Sequence, residues 1–239
     1  MYTDRELILL KSSAPLCLLN DKDLPVLNGA GCLVDYCGQR ILLTVEHTTG
    51  KPGRWALQLE FDKSGGTTLE VLDALNFLES VCLNTGQRKI IDFAYVGIPK
   101  ELEAYRQEIT DRQEIMASYP ITVFDIDFDA TPSKDDEFGF AGLVKGVLEQ
   151  HPSLTFFASD LKIYDGLRFL RKDDDKYVFE LPFDHPGHPE FKGCSGAPIL
   201  NGEGKPVALL TGGCVKNNEI YGVSLNHHRA SIDVFVMEI

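Results

Sequence analysis

The sequence predicts an all-β protein, a sandwich or a pair of barrels. Two observations carry this. Short apolar runs with the two-residue period of a half-buried strand recur along the whole chain, as in Trp55-Ala56-Leu57-Gln58-Leu59-Glu60-Phe61 and Ile121 to Phe128. Turn-forming clusters of Gly, Pro, Asn and Asp separate them, and helical periodicity is scarce. No internal repeat is visible.

Taken in order, Leu7 to Leu10 suits either a strand or a short helix, and Leu16 to Leu19 is a second apolar piece. Gly29-Ala30-Gly31 opens Cys32-Leu33-Val34-Asp35-Tyr36, and a turn at Cys37-Gly38-Gln39-Arg40 leads into Ile41-Leu42-Leu43-Thr44-Val45. Two β runs joined by a short Gly-containing turn predict a hairpin, whose second strand runs into Glu46-His47. Thr67 to Ser80 fits either period. Lys89 to Ile98 reads as a strong strand. Pro99 is expected to open a short helix over Lys100 to Ile109, with Leu102, Tyr105 and Ile109 on one face. Residues 110–119 read as a linker. Phe138 to Val144, Leu154 to Ala158, Leu167 to Leu170 and Lys176 to Leu181 read as strands, and Pro182 to Lys192 as a loop. Val207 to Gly213 and Ile220 to Leu225 are the last clear strands. The tail, Ala230 to Ile239, fits a short helix or a strand.

The chain has 239 residues, enough for one domain of two packed halves. Its net charge of −13 argues against nucleic-acid partners. Its apolar runs are too short to predict a membrane span, and the polar, acidic start Tyr2-Thr3-Asp4-Arg5-Glu6 does not resemble a secretory leader. Cys17, Cys32, Cys37, Cys82, Cys194 and Cys214 form no C-x-x-C pair and no zinc-like pattern with the histidines. Reduced thiols in a cytoplasmic protein without metal or cofactor are the expectation.

One stretch asks for a chemical explanation. In Gly193-Cys194-Ser195-Gly196-Ala197-Pro198 a serine is pinned between glycines ahead of an apolar run. Such a turn presents a hydroxyl and converges backbone N–H groups on a developing negative charge. A serine needs a base. Of His47, His151, His185, His188, His227 and His228, His47 stands out by ending an apolar strand; His185 and His188 lie in a polar loop and His227-His228 in a polar turn. The base needs an orienting acid, and most carboxylates here sit in solvated turns. Asp92 is the exception, inside Ile90-Ile91-Asp92-Phe93-Ala94-Tyr95-Val96, where a buried acid needs a partner such as a histidine N–H.

In this order His47, Asp92 and Ser195 resemble the chymotrypsin/trypsin-like serine peptidases. Leu43-Thr44-Val45-Glu46-His47 is similar to that family's Thr-Ala-Ala-His strand end, and Gly29-Ala30-Gly31-Cys32-Leu33-Val34 to its Gly-x-Gly-Phe-Leu-Ile strand. Asp92-Phe93-Ala94-Tyr95-Val96 resembles Asp-Ile-Ala-Leu-Leu, and the Ser195 turn Gly-Asp-Ser-Gly-Gly-Pro. The spacings, 45 residues from His47 to Asp92 and 103 from Asp92 to Ser195, suit the family. The resemblance spans residues 29–225. It implies two six-stranded antiparallel barrels packed together: residues 1–112 carrying His47 and Asp92, and residues 113–239 carrying Ser195, as one catalytic unit. It also implies an intracellular serine endopeptidase that takes a protein or peptide substrate. Ser195 would be the nucleophile, His47 the base and Asp92 its orienter. Gly193 and Ser195 N–H groups would form the oxyanion hole, and Thr211, Gly212 and Gly213 would pair with substrate backbone.

The departures are specific. Thr48 stands where secreted members have a disulfide cysteine. Cys194 replaces the aspartate that binds a liberated N-terminus, and no Ile-Val-Gly-Gly start is present, which leaves a constitutively formed site or control by a partner protein. Near the expected base of the specificity pocket lie Pro189, Glu190 and Phe191, and Glu190 would favour basic side chains. The competing reading is a catalytically silent domain of the same fold that binds extended peptides or acts as a scaffold. Cys194 as nucleophile is disfavoured because Lys192, not glycine, stands two residues before it. The Asp125-x-Asp127-x-Asp129 run lacks the glycine of a calcium loop. An esterase of another fold would need a Gly-x-Ser-x-Gly elbow.

Overall fold

The computed structural model describes residues 2–61, 67–109, 115–151 and 154–238. The side chains of residues 61, 67, 107–117, 147–158 and 238 lie outside the description, and with them the side chain of His151.

The chain opens with helix α1 (Asp4–Ser12), not a strand. Thr3 and Glu6 form a reciprocal capping box, which supplies acceptors for N–H groups that a helix start leaves unpaired. Leu9 and Leu10 are fully buried, and Arg5 anchors the helix to Asp165 and to the carbonyl of Asn201, 2.6 Å away.

Strands β1 (Ala14–Leu19), β2 (Pro25–Tyr36), β3 (Gln39–Thr44), β4 (Arg54–Phe61), β5 (Thr67–Val71), β6 (Asn76–Val81) and β7 (Arg88–Gly97) follow. They pair antiparallel in the order β5-β4-β1-β2-β3-β7-β6. The expected hairpin is β2–β3. Tyr36 pairs with Gln39, and Cys37 and Gly38 between them both have positive φ, +48° and +82°. Positive φ at both central residues is the type I′ geometry that matches strand twist. The ambiguous stretch Thr67 to Ser80 resolves into β5 and β6. A four-residue helix, α2 (Glu46–Thr49), leaves the end of β3.

The helix expected near residues 100–109 does not form. That segment turns, then enters β8 (Tyr105–Ile109), which pairs with β9 (Ile115–Pro120). One apolar face at three- and four-residue spacing could not outweigh this pairing and the burial it brings. Ala104 is buried, and Arg106, also buried, donates to the carbonyl of Ser13 at 2.6 Å. Part of the expected linker is thus β9; the expected boundary at residues 112–113 lies outside the described residues. The next strand, β10 (Val123–Asp125), runs parallel beside β2.

The C-terminal half is a closed six-stranded antiparallel barrel of β11 (Glu137–His151), β12 (Leu154–Asp173), β13 (Lys176–Glu180), β14 (Pro198–Leu200), β15 (Pro206–Cys214) and β16 (Glu219–Ser224). Two runs expected as separate strands, Leu154 to Ala158 and Leu167 to Leu170, are one long β12. The tail is helix α3, which begins earlier than expected (Leu225–Glu238). It packs Phe235 edge-on to Tyr95 and stacks His228 on Phe93, and Tyr36 donates to its Asp233 at 2.7 Å. Apolar cores fill each half. A third apolar cluster joins Val34, Ile41, Leu43 and Phe93 to Ile126, Phe128, Leu209, Val223, Leu225 and Ile232. It packs the two halves against each other. Among the described residues no helix is long and apolar enough to cross a membrane.

Candidate active site

Register brings the first two side chains together. On β3 and β7 the last paired residues are Thr44 and Ala94. His47 lies three residues beyond Thr44 and Asp92 two before Ala94, so both emerge at the same end of the sheet. Pairing between β6 and β7 skips Asp92 and Phe93: Phe77 faces Ala94 and Leu78 faces Ile91. Such a bulge re-aims a side chain at a sheet rim.

Asp92 is thereby turned onto His47. Its Oδ1 accepts from the His47 backbone N–H at 3.0 Å, and both carboxylate oxygens lie 2.9 Å from Nδ1. Burial pushes the Asp92 carboxyl up, but the hydrogen bonds from His47 and the nearby charges of His47 and Lys176 outweigh it, holding the group below the ordinary carboxylate range. An ionised carboxylate only accepts, so Nδ1 carries the proton and donates. Nε2 is left as an acceptor, and it lies 2.9 Å from Ser195 Oγ.

The Ser195 turn is fitted to both halves. Phe191 to Cys194 closes with the Cys194 N–H donating to the Phe191 carbonyl at 3.0 Å. Gly193, at φ +107°, occupies the position of this turn that demands positive φ, and a Cβ there would stand 2.1 Å from the Leu143 carbonyl oxygen. Gly196, at φ +91°, meets the Ala30 carbonyl oxygen as closely. That carbonyl accepts from the buried Thr44 hydroxyl at 2.8 Å, while the Ala30 N–H donates to the Ser195 carbonyl at 3.1 Å. Thr44, three residues before His47, therefore ties the base's strand to the serine's turn. We expect Thr44→Val to lower stability by about 1–3 kcal/mol through the orphaned carbonyl, read as a shift in urea midpoint.

The Gly193 and Ser195 N–H groups have no hydrogen-bond partner among the described residues. Both belong to the turn that presents Oγ. On its far side the Gly196 N–H donates to the Leu210 carbonyl at 2.8 Å, and the Leu210 N–H to the Ala197 carbonyl at 2.9 Å. Beyond Leu210, Gly212 and Gly213 pair with β16 while Thr211 lies at a bulge between Leu210 and Gly212, and β14 pairs no further along β15 than Leu209. Among the described residues no second strand pairs with residues 211–213 on the side away from β16.

The two sequence departures have packing explanations. Thr48 is buried with its methyl where a Cβ on Gly29 would come within 2.8 Å, close to Trp55, so side-chain packing fills the place of the missing disulfide. Cys194 is fully buried against Gly142, where an added Cβ would lie 2.6 Å from Sγ and 3.0 Å from the Cys194 Cα. Burial pushes its thiol up to about 12, against the opposing charge of Arg106. A protonated, inaccessible thiol is no nucleophile. Packing, not an ion pair with a released N-terminus, holds the turn. Gly142→Ala must displace it: we expect a loss of about 1–3 kcal/mol and a melting temperature lower by about 2–12 °C in calorimetry.

The remaining candidates scatter. His227 and His228 lie on α3, with His228 near Asp175, and His188 lies on the loop before the turn. Glu190 pairs with Lys145 at 3.0 Å, which compensates the charge expected to favour basic side chains. His185, also weighed as a base, lies beside Gly213 on β15, away from the Asp92–His47–Ser195 line.

Comparison with known proteins adds the fold. No protein-family model matches the sequence, and no curated protein matches it. Solved structures do. Human heparin binding protein aligns over 97% of this chain and 93% of its own, at 11% identity and TM-score 0.58. Neuropsin, a serine protease expressed in mouse brain, aligns over 96% of both chains, at 12% identity and TM-score 0.56. A serine endoprotease from Yersinia pestis aligns over 100% of this chain and 66% of its own, at 11% identity and TM-score 0.55. At such identities the likeness establishes a trypsin-like serine protease fold, and the chemistry rests on the residues.

Proposed function

We propose that this chain is a serine endopeptidase that cleaves peptide bonds by acyl transfer. The observation that carries the reading is the continuous line from Asp92 through His47 to Ser195 Oγ, every link at 2.9 Å. His47 Nε2 takes the Ser195 proton as Oγ attacks the scissile carbonyl, then returns it to the leaving amine. Asp92 holds the imidazole in the tautomer that leaves Nε2 free and stabilises the cation that forms. The N–H groups of Gly193 and Ser195 receive the oxyanion; one such donor is worth about 2.7–4 kcal/mol. An extended substrate adds to β15 along Thr211, Gly212 and Gly213 by backbone pairing. All six cysteines are unpaired. That suits a reducing compartment, and we assign the activity to the cytoplasm.

A second reading keeps the cleft and drops the chemistry: one structural neighbour is named for heparin binding, not proteolysis. An active-site-directed fluorophosphonate separates the two. Labelling of the wild type but not of Ser195→Ala supports the peptidase. A folded wild type that is never labelled, yet binds extended peptides, supports the binding module.

A further inference from the structure

Strand β6 ends its sheet. It pairs with β7, and no strand among the described residues lies on its other side. Leu78 is half-buried and the rest of the strand is exposed. Just past it, the Cys82 N–H donates across the hairpin to the Gln87 carbonyl at 2.9 Å. Backbone groups of alternate residues face opposite edges of a strand, so Leu78 and Ser80 also turn theirs toward β7. Phe77, Glu79 and Val81 turn theirs outward. No lysine or proline stands on this edge to block pairing; its one guard is the charge of Glu79.

The side chains on the same ribbon are unusually apolar for a surface. Phe77, Glu79 and Val81 share one face with Ile90 and Arg88, which stand opposite Glu79 and Val81 on β7. Phe77, Val81 and Ile90 are 43%, 50% and 55% exposed. The charges between Asn76 and Ile91 are Glu79, Arg88 and Lys89. Arg88 meets Glu79 at 3.3 Å, and Lys89 meets Asp174 at 3.7 Å. The ribbon is thus electrically compensated in a chain of net charge −13, and two copies can approach here without the repulsion that opposes contact elsewhere.

We propose that β6 is the interface through which two copies of this chain pair, edge to edge and antiparallel about a two-fold axis. The edge is complementary to itself. When Glu79 faces Glu79 of the second copy, Phe77 faces its Val81 and Val81 faces its Phe77. All three outward-facing residues are then matched, and each pair exchanges two backbone hydrogen bonds. A slip of two residues in either direction leaves Phe77 or Val81 without a counterpart. The apolar Phe77–Val81 contact forms twice, as a two-fold interface requires. The facing Glu79 carboxylates, each held by its own Arg88, keep the association reversible. The pairing involves no catalysis and stands or falls separately from the peptidase reading.

Sedimentation velocity of the Ser195→Ala protein, in which self-cleavage cannot intervene, should show a 26.6 kDa monomer giving way to a species of twice that mass as concentration rises. Glu79→Pro removes the outward N–H of the central pair and spares the bonds that Leu78 and Ser80 make to β7. It should weaken dimerisation roughly 10- to 100-fold. Two cysteine variants then test the register, with the exposed native thiols removed by Cys37→Ser and Cys82→Ser. Glu79→Cys should oxidise to a disulfide-linked dimer, because facing residues of a hydrogen-bonded pair stand about 5.5 Å apart at Cα. Phe77→Cys should not, because its counterpart lies four residues, roughly 14 Å, along the strand. A protein that stays monomeric at every concentration, a dimer that Glu79→Pro leaves intact, or equal crosslinking from positions 77 and 79 would overturn the assignment. If Glu79→Pro lowers the melting temperature, the two cysteine variants decide alone.

Discussion

Alanine at Ser195 is expected to lower peptide-bond hydrolysis by about 10⁶-fold, and alanine at His47 by about as much. The double variant should be no worse than either single one. The reason lies in the wiring. Nε2 has nothing to deprotonate without Oγ, and Oγ 2.9 Å away has no base without Nε2. Residues that act as a unit fail as a unit, so the losses do not add. The measurement is kcat/KM on a peptide cleaved by the wild type, with thermal melts alongside. Ser195 is held by its backbone, through the Ala30 N–H to its carbonyl, so loss of the hydroxyl leaves that tie intact. Losses that multiply in the double variant would mean that His47 and Ser195 act independently.

Why these residues were legible in the sequence, and others not, follows from the range of the forces that place them. His47 and Asp92 are conspicuous because each interrupts or ends an apolar strand, where a polar group demands a reason. The Ser195 turn is conspicuous because two of its glycines are required sterically, at φ +107° and +91°, against the carbonyls of Leu143 and Ala30. The β2–β3 hairpin is a local event, fixed by two turn residues. The all-β class was readable from the run of alternating strands, while the choice of barrels over a sandwich came from the resemblance of the motifs. Helix α1 carried its own signal in the Thr3-x-x-Glu6 box, which the apolar run Leu7 to Leu10 overshadowed.

What failed was decided at a distance. Tyr105 and Ile109 have helical spacing with Leu102, yet β9 supplies a pairing partner that no local window contains. The bulge that turns Asp92 toward His47 depends on β6, whose segment had no clear period. His185 comes to lie beside Gly213, a neighbour far along the chain that no local window contains. Cys194 was legible as a departure, but its partner Gly142 was not; their fit is a matter of tenths of an ångström across the barrel wall.

Asp92→Asn tests the electrostatics of the site with almost no change in shape, and is expected to lower kcat by about 10⁴-fold near neutral pH. Oδ1 accepts the His47 backbone N–H at 3.0 Å, and an amide oxygen can keep that bond. The amide NH₂ then takes the place of Oδ2, 2.9 Å from Nδ1, and presents a donor where the carboxylate accepted. Nδ1 must become the acceptor, the ring proton moves to Nε2, and Ser195 loses its base. The same substitution should change how stability depends on pH. Because the folded Asp92 carboxyl titrates below its ordinary value, its ionised form favours the folded state. That contribution is fully present above the unfolded carboxylate pKa of about 3.9, and is lost as pH falls through the lower, folded value. Melts of the two proteins at pH 7 and pH 3 should therefore differ most at pH 7 and converge in acid. A difference that stays constant between the two pH values would show that Asp92 stabilises the fold by shape alone, and that its charge does not hold His47.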